Sequence, residues 1–281
     1  MKTQLLSVNA ENQGEDVPNN KTFQVEYSVG GQGRPTVVLL TGYGVCMEQS
    51  FSKIFDDLAN MSTVVAYNRL NYGKSSTSEQ QPQTAREIVI FLRQFLSTLQ
   101  SLHPAVSPPF VVAGHSIGGM YAQYWARQYP DEVEGVVLLD SSHPDQWKRG
   151  VRQDGCLAKC LNALDALWNP QQQSEISHFD ESAAQIHAAP KFDGDKIPLT
   201  VISAGKASLF ARLLVSKESI RAFRDCQRDL AALSPHCRHI VADNSGHLVQ
   251  NDQPDLVVQA IRDMLASIRG QHKQGKKDDT S

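Results

Sequence analysis

Short, continuously apolar runs alternate with longer amphipathic segments over most of the chain. Such runs are typical of strands that are covered on both faces of a sheet. The amphipathic segments repeat apolar residues every three to four positions, which predicts helices. Strands that alternate with helices predict an α/β fold with a doubly wound, mostly parallel sheet. The predicted buried strands are residues 36–40, 63–67, 110–113, 135–139, 199–203 and 238–241, and the predicted helices are 48–59, 84–102, 117–129 and a last helix capped by Asp252.

The first thirty residues have a different pattern. Phe23, Val25 and Tyr27 alternate with polar residues, which predicts a half-exposed strand. Residues 3–8 can pair with this strand across the polar loop 9–20. We therefore expect two antiparallel strands at one edge of the sheet.

One long interval lacks a strand pattern. Residues 141–198 lie between two predicted strands and contain helical patterns, the first of them near Trp147. We interpret the interval as a helical insertion after the sixth strand, because loops of this length in compact domains usually have a function. An ordinary long helical crossover also fits the pattern. The chain is thus divided into a core of residues 1–140 and 199–270, the insertion, and a charged tail of residues 271–281 that we expect to be disordered.

The segment Gly114-His115-Ser116-Ile117-Gly118-Gly119 lies between a predicted strand and a predicted helix. In this context the pattern G-x-S-x-G places a serine in a strained turn, and the glycines keep neighbouring side chains from colliding. The hydroxyl is then exposed, and the first amides of the new helix point toward it, where they can stabilise an anion. The segment therefore predicts acyl chemistry with Ser116 as the nucleophile.

A serine hydroxyl becomes a strong nucleophile when a base accepts its proton and a carboxylate orients that base. Histidine is the usual base, and the chain has nine histidines. The carboxyl ends of parallel strands line the ligand crevice of such sheets. Asp140 directly follows the strand 135–139 and is therefore a candidate acid, although an aspartate there can also be purely structural. Asp145 is the reserve candidate.

These features resemble those of the α/β-hydrolase superfamily, in particular its serine esterase and lipase branch, over roughly residues 22–268. The resemblance implies that the base is His247, which follows the last predicted strand. The family's commonest acid position, just after strand 199–203, holds no carboxylate, and Asp140 matches the strand end that supplies the acid in some lipases. The resemblance also implies a helical cap over the active site, formed by residues 141–198.

Two further segments carry the resemblance. Leu39-Leu40-Thr41-Gly42-Tyr43-Gly44 is similar to the family's His-Gly loop, with Thr41 in place of the histidine. This implies that the backbone amides of Tyr43 and Ile117 form the oxyanion hole. Residues 67–75 are similar to the family's Asp-Arg-x-Gly-x-Gly-x-Ser segment with asparagine at two positions, and we interpret them as loop scaffolding.

Composition and charge bear on nucleic-acid binding, on cellular location and on the use of metals or cofactors. A net charge of -3 and a pI near 6.3 exclude the basic surface that nucleic-acid binding needs. The N-terminal residues lack the apolar core of a signal peptide, and no segment is apolar enough for a membrane span, so we expect a cytoplasmic protein. The five cysteines lack metal-like spacing and are interpreted as reduced thiols. We expect no metal and no organic cofactor.

The resulting hypothesis is a hydrolase that cleaves an ester or related acyl bond of a small to medium hydrophobic substrate through an acyl-enzyme. A serine at the elbow argues against the dehalogenase and epoxide hydrolase branches, which need a carboxylate nucleophile. The alternatives are a non-catalytic or slow ligand-binding protein of the same fold, and a C–C hydrolase or cofactor-free peroxidase with the same triad. The sequence leaves open the natural substrate, the choice among ester, amide, thioester and lactone, and the oligomeric state.

Overall fold

A computed structural model of the chain describes residues 1–10, 21–78, 83–151, 172–206 and 216–278. Its strands are β1 Gln4–Ala10, β2 Lys21–Gly30, β3 Thr36–Leu40, β4 Val64–Tyr67, β5 Phe110–His115, β6 Val133–Leu139, β7 Leu199–Ala204 and β8 Arg238–Ala242. These eight strands form one sheet in the spatial order β1-β2-β4-β3-β5-β6-β7-β8. The predicted α/β fold with a mostly parallel sheet is confirmed.

Strand direction changes only at one side of the sheet. β2 runs antiparallel to both β1 and β4, whereas β3 to β8 run parallel to one another. In the centre of the sheet, Gly114 on β5 lies opposite Leu40 on β3 and opposite Leu138 on β6. The carboxyl ends of these three strands therefore meet at one edge, where parallel α/β sheets bind their ligands.

Helices cover both faces of the sheet. The described helices are α1 Met47–Ala59, α2 Ala85–Leu102, α3 Ile117–Gln128, α4 Gln173–Ser177, α5 Phe179–Ala188, α6 Lys217–Ala231, α7 Val249–Asp252 and α8 Pro254–Asp278, with a 3-10 turn at Pro130–Glu132. Val37 and Leu39 of β3 share one apolar cluster with α1 and α8. Val38 and Leu40 share the other with α2 and α3. Successive strand residues point to opposite faces, so a strand covered on both sides is apolar at every position, as the sequence pattern predicts.

The C-terminal helix extends further than its sequence pattern predicts. α8 continues to Asp278, so the disordered tail expected to begin at residue 271 is corrected for residues 271–278. Residues 279–281 lie outside the described part. A contact in the extension explains part of the difference, because His272 Nε2 lies 3.0 Å from the Glu134 carboxylate on β6. A charged composition therefore does not prevent this helix from continuing when one of its side chains pairs with the core domain.

The interval 141–198 is described in part. It contains α4 and α5 and no strand among its described residues. α5 is attached to the first turn of α2, where the Ala85 N–H donates to Ser182 Oγ at 2.9 Å. Residues 152–171, with most of the apolar side chains on which the cap prediction depends, lie outside the described residues. The division into core and cap therefore stays a prediction.

Two smaller expectations can be compared with the described residues. Within them, no helix combines the length and apolar character needed to cross a membrane, and the cytoplasmic location stays a prediction. Cys226 is buried and Cys46 and Cys237 are partly buried, all three as free thiols. Burial raises the pKa of the Cys237 thiol to about 11. Cys156 and Cys160 lie outside the described residues.

Candidate active site

Ser116 occupies a strained turn between β5 and α3. Its backbone angles are φ 54° and ψ -123°, in a region that residues with a side chain rarely adopt. The Ser116 N–H donates to the Leu139 carbonyl at 3.1 Å, and its carbonyl accepts from the Ser142 N–H at 2.9 Å. The side chain makes no capping hydrogen bond to α3 and is partly buried. A strained turn between a strand and a helix is the backbone geometry expected for a nucleophile elbow.

Strain of this kind is concentrated at the proposed site. Three described residues other than glycine have positive φ, namely Asn71 at 74°, Ser116 at 54° and Asp140 at 41°. Such conformations cost of order 1–3 kcal/mol each and persist where surrounding contacts enforce them, often at functional sites. Two of the three are the predicted nucleophile and the predicted acid.

Gly118 is required by the close approach of two backbone segments. A Cβ at this position would lie 2.5 Å from the Leu40 carbonyl oxygen and 2.6 Å from that of Thr41. Glycine thus lets the first turn of α3 pack directly against the loop that follows β3. This packing brings Ile117, the first residue of α3, next to the segment that carries Tyr43.

Asp140 and His247 are in direct contact. Asp140 Oδ2 lies 2.7 Å from His247 Nδ1, and Asp140 Oδ1 accepts from the Ala204 N–H at 2.9 Å. The aspartate side chain is 4% exposed and that of the histidine 49%. Since a carboxylate accepts hydrogen bonds, this contact places a proton on Nδ1 and leaves Nε2 as the basic nitrogen. Asp140 therefore holds the imidazole through Nδ1, and Nε2 is available to a reacting group.

The loop that carries His247 is fixed by two other side chains. Asp252 Oδ2 accepts from the Gly246 N–H at 2.8 Å and from Ser245 Oγ at 3.3 Å. The sequence predicts Asp252 as the cap of the last helix, but the residue lies in α7 and its carboxylate holds this loop instead. On the other side, His115 Nε2 lies 2.9 Å from the His247 carbonyl oxygen. The loop is therefore tied directly to the residue that precedes Ser116.

His115 is a buried neutral histidine. It is 1% exposed, and burial together with the nearby His247 lowers its pKa to about 3. Because the His247 carbonyl can only accept, Nε2 of the neutral ring carries the proton and donates it. His115 Nδ1 is buried without a hydrogen-bond partner, next to Gly42. The buried His115 ring therefore holds the His247 loop and packs against Gly42.

The loop after β3 lies beside the elbow. A Cβ at Gly42 would lie 3.2 Å from the Ser116 Cβ and 2.8 Å from His115 Nδ1, so only glycine fits without displacement. Tyr43 follows Gly42, and its amide therefore belongs to the loop next to the serine. This is the position that the family resemblance assigns to the second oxyanion donor.

Arg69 anchors this loop and was not predicted to do so. Its Nη1 donates to the Thr41 carbonyl at 2.8 Å and to Thr41 Oγ1 at 2.7 Å, and its Nη2 donates to the Gly42 carbonyl at 3.1 Å. The threonine that replaces the family's histidine is thus held by a guanidinium. The signal was present in the sequence, in the segment 67–75 interpreted as scaffolding.

Arg69 is in turn paired with Glu175 from α4. The ion pair is bidentate, with Nε to Oε1 at 2.6 Å and Nη2 to Oε2 at 2.8 Å, and both side chains are at most 2% exposed. Tyr72 donates its hydroxyl proton to Glu175 Oε2 at 3.1 Å and accepts from the Gly44 N–H at 3.2 Å. No sequence pattern identifies Glu175, because its partner lies on a distant segment.

Asp145, the reserve acid, lies against α5. Its Oδ1 is 3.0 Å from His187 Nε2 and 3.6 Å from Lys148 Nζ. Its backbone N–H donates to His143 Nδ1 at 3.0 Å. Asp140 is therefore paired with the imidazole of His247, and Asp145 is paired with that of His187.

Comparison with known proteins supports the fold class that the sequence predicts. Residues 35–154 match the family model described as alpha/beta hydrolase fold. The crystal structure of a putative lipase from Acinetobacter baumannii is similar at a TM-score of 0.67 and 17% identity, over 95% of this chain and 93% of that chain. The chain therefore has the α/β-hydrolase fold.

Two sequence relatives show how far the similarity extends. The uncharacterized protein YqjL of Bacillus subtilis is 24% identical over 255 residues, which cover 86% of this chain and 87% of YqjL. A (lyso)-N-acylphosphatidylethanolamine lipase of Bos taurus is 27% identical over 128 residues, which cover 44% of this chain and 35% of the lipase. The matched region spans about a third of the length of this lipase and of other curated relatives. Their activities therefore do not transfer to this chain directly.

Proposed function

We propose that the chain is a serine hydrolase that cleaves an ester, or a related acyl bond, of a small to medium hydrophobic substrate. Ser116 is the nucleophile, His247 the general base and Asp140 the residue that orients the imidazole. The backbone N–H groups of Tyr43 and Ile117 form the oxyanion hole. The observation that carries the proposal is the 2.7 Å contact between Asp140 and His247 at the same sheet edge as the strained Ser116.

The reaction follows from the chemistry of these groups. Ser116 Oγ attacks the acyl carbonyl while His247 Nε2 accepts its proton, and the buried Asp140 carboxylate stabilises the imidazolium that forms. The two amides bind the developing oxyanion, an interaction for which one donor contributes about 10²–10³ in kcat. The imidazolium then protonates the leaving alcohol. Water, deprotonated by the same imidazole, releases the acid and regenerates the serine.

Support for a hydrophobic substrate comes from the surroundings of His247. The Phe223 ring on α6 lies edge-on to the imidazole, with ring centroids 6.2 Å apart. As part of the same proposal, residues 141–198 form a helical cap that contributes apolar side chains to the substrate site. The lipase names of a relative and of a structural neighbour are consistent with this substrate class.

A fluorophosphonate probe tests the nucleophile without knowledge of the natural substrate. We expect rapid labelling of the wild-type protein, no labelling of Ser116→Ala and strongly reduced labelling of His247→Ala. A folded wild-type protein that is not labelled would instead support a ligand-binding role. A panel of p-nitrophenyl esters of increasing chain length then tests the substrate class, for which we expect a maximum at short to medium acyl chains.

A further inference from the structure

Two side chains of α4 reach the loop proposed to form the oxyanion hole. Gln173 Nε2 donates to the Tyr43 hydroxyl at 2.6 Å, and Glu175 binds Arg69, which binds the Thr41 and Gly42 carbonyls. α4 belongs to the interval between β6 and β7, not to the sheet that positions Ser116 and Asp140. The inserted segment is therefore in direct contact with the proposed catalytic machinery.

Within the described residues, the hydrogen bonds of the Arg69 guanidinium go either to Glu175 or to the loop after β3. Its five bonds have lengths between 2.6 and 3.1 Å, and the group lies 4.7 Å from the Tyr72 ring centroid and 5.4 Å from that of Tyr121. Burial acts to lower the pKa of Arg69, but the Glu175 carboxylate outweighs this effect and raises the pKa well above its usual value. The guanidinium is thus fully charged, and its forked contacts hold it inside the protein.

The bond from Arg69 to the Gly42 carbonyl controls the orientation of the proposed oxyanion donor. The carbonyl of Gly42 and the N–H of Tyr43 belong to the same peptide unit, which is planar. If Arg69 Nη2 fixes the direction of the C=O group, it also fixes the direction of the N–H group on the opposite side of that plane. Glycine at position 42 makes this control necessary, because its backbone is the least restricted by sterics.

Glu175 is what keeps Arg69 in this position. A buried guanidinium needs a counter-charge with matching geometry, and the bidentate contact supplies one. Without the carboxylate, the uncompensated charge favours a rearrangement toward water. The loop carbonyls would then lose their donors.

We propose that Arg69 and Glu175 are positioning residues of the oxyanion hole: Arg69 sets the peptide unit that carries the Tyr43 N–H, and Glu175 holds Arg69, so that the inserted segment is required for turnover. This inference rests on the proposed serine-hydrolase function.

Glu175→Gln tests the inference, because it keeps the shape of the side chain and removes its charge. We expect kcat to fall by about 10–100-fold while KM changes less than threefold, since a misplaced oxyanion donor affects the transition state and not the ground state. A trifluoromethyl ketone that forms a tetrahedral adduct with Ser116 should bind more weakly by the same factor as kcat/KM. Arg69→Lys is the second variant, because an ammonium cannot make the forked contacts, and it should give the same pattern.

Two control variants separate positioning from general loss of stability. Glu132→Gln breaks another bidentate pair, in which Glu132 binds Arg93 at 2.6–3.1 Å, far from the loop along the chain. Thr36→Val removes a hydrogen bond from the buried Thr36 Oγ1 to the Ala105 carbonyl at the start of β3. Both variants should lower Tm and leave kcat and adduct affinity within about twofold of the wild type.

The outcomes are distinguishable. If Glu175→Gln, or Arg69→Lys where the first variant does not fold, behaves like the two controls, the positioning role is wrong while labelling of wild-type Ser116 still supports the hydrolase. If KM rises and kcat is unchanged, the pair contributes to substrate binding only, and the inference is also wrong. If the wild type neither reacts with the fluorophosphonate nor hydrolyses esters, the proposed function itself fails.

Discussion

His115 donates a hydrogen bond from Nε2 to the main-chain carbonyl of His247 at 2.9 Å. The residue directly before the proposed nucleophile thus holds the loop that carries the proposed base, and their ring centroids lie 4.7 Å apart. This contact joins two segments that are 132 positions apart in the chain. Burial keeps His115 neutral in the folded protein, which makes the stability of the protein sensitive to acid.

The first prediction concerns this pH dependence. The pKa of His115 is about 3 in the folded protein and near 6.5 in an unfolded chain, so between these values the unfolded state binds a proton that the folded state does not. Stability therefore falls as the pH falls through this window, by up to about 1.4 kcal/mol per unit. The pKa of His143, lowered to about 4 chiefly by burial, acts in the same direction. Urea unfolding at several pH values between 7 and 4.5 measures the slope.

His115→Gln is the matched variant for this experiment. Glutamine can donate to the His247 carbonyl but does not titrate, so the variant should lose less stability than the wild type between pH 7 and pH 4.5. Carboxylates that titrate in the same range contribute equally to both proteins. An identical slope in the two proteins would contradict the assignment of His115 as a buried neutral group.

The second prediction concerns the acid. Asp140→Asn should leave the fold intact and lower kcat by roughly 10²–10⁴, because an amide cannot hold the imidazole in the same tautomer or stabilise its charged form. Asp145→Asn is the control, since Asp145 binds His187 and not His247. Steady-state hydrolysis of a p-nitrophenyl ester, with circular dichroism to verify folding, measures both. Wild-type rates in the Asp140 variant with loss in the Asp145 variant would transfer the role to Asp145.

The third prediction concerns Gly42. Gly42→Ala should lower kcat by at least about tenfold, because the added methyl group would lie within 3.2 Å of both His115 Nδ1 and the Ser116 Cβ, and the loop would have to move. Gly270→Ala is the control, since a Cβ there meets no atom within 4 Å and alanine favours the helix. Ester hydrolysis and Tm are compared for both variants. Unchanged kcat in Gly42→Ala would show that the loop does not need its present position.

The fourth prediction concerns the attachment of the base. Asp252→Ala removes the acceptor for the Gly246 N–H and Ser245 Oγ, so the loop with His247 should become less ordered and kcat should fall about tenfold with little change in KM. Asp255→Ala, an exposed aspartate three residues further on, should retain wild-type activity. If the two variants have equal activity, Asp252 serves only the local structure of α7.

The sequence was sufficient for the sheet and for residues near its central strands. Continuous apolar runs identify the parallel strands because both sheet faces are covered, and the elbow pattern predicts the strained turn at Ser116 because so few residue types tolerate its backbone conformation. Asp140 is predicted as the acid because strand ends of a parallel sheet converge, and its catalytic role stays a prediction. Each of these inferences uses a constraint that acts within a short segment or follows from the fold class.

The residues that sequence reasoning missed depend on contacts between distant segments. Arg69 and Glu175 are 106 positions apart, and a buried ion pair leaves no periodic pattern in either segment. Asp252 stands at a position typical of a helix cap, so local reasoning assigned it to the helix, whereas its carboxylate binds a loop six residues earlier. α8 likewise continues past residue 271, where His272 contacts Glu134 on β6, and composition does not reveal this contact.

The nucleophile and its proposed acid lie on one β5-α3-β6 unit, and the base enters from a segment near the C-terminus. Residues 110–140 must consequently stay contiguous in any circular permutation or chimera that is meant to keep the Ser116 and Asp140 geometry. The base, by contrast, follows a later junction. We expect co-expressed fragments divided between β7 and α6 to pair again through the β7-β8 ladder and to restore ester hydrolysis, which would make this junction a place for a split reporter.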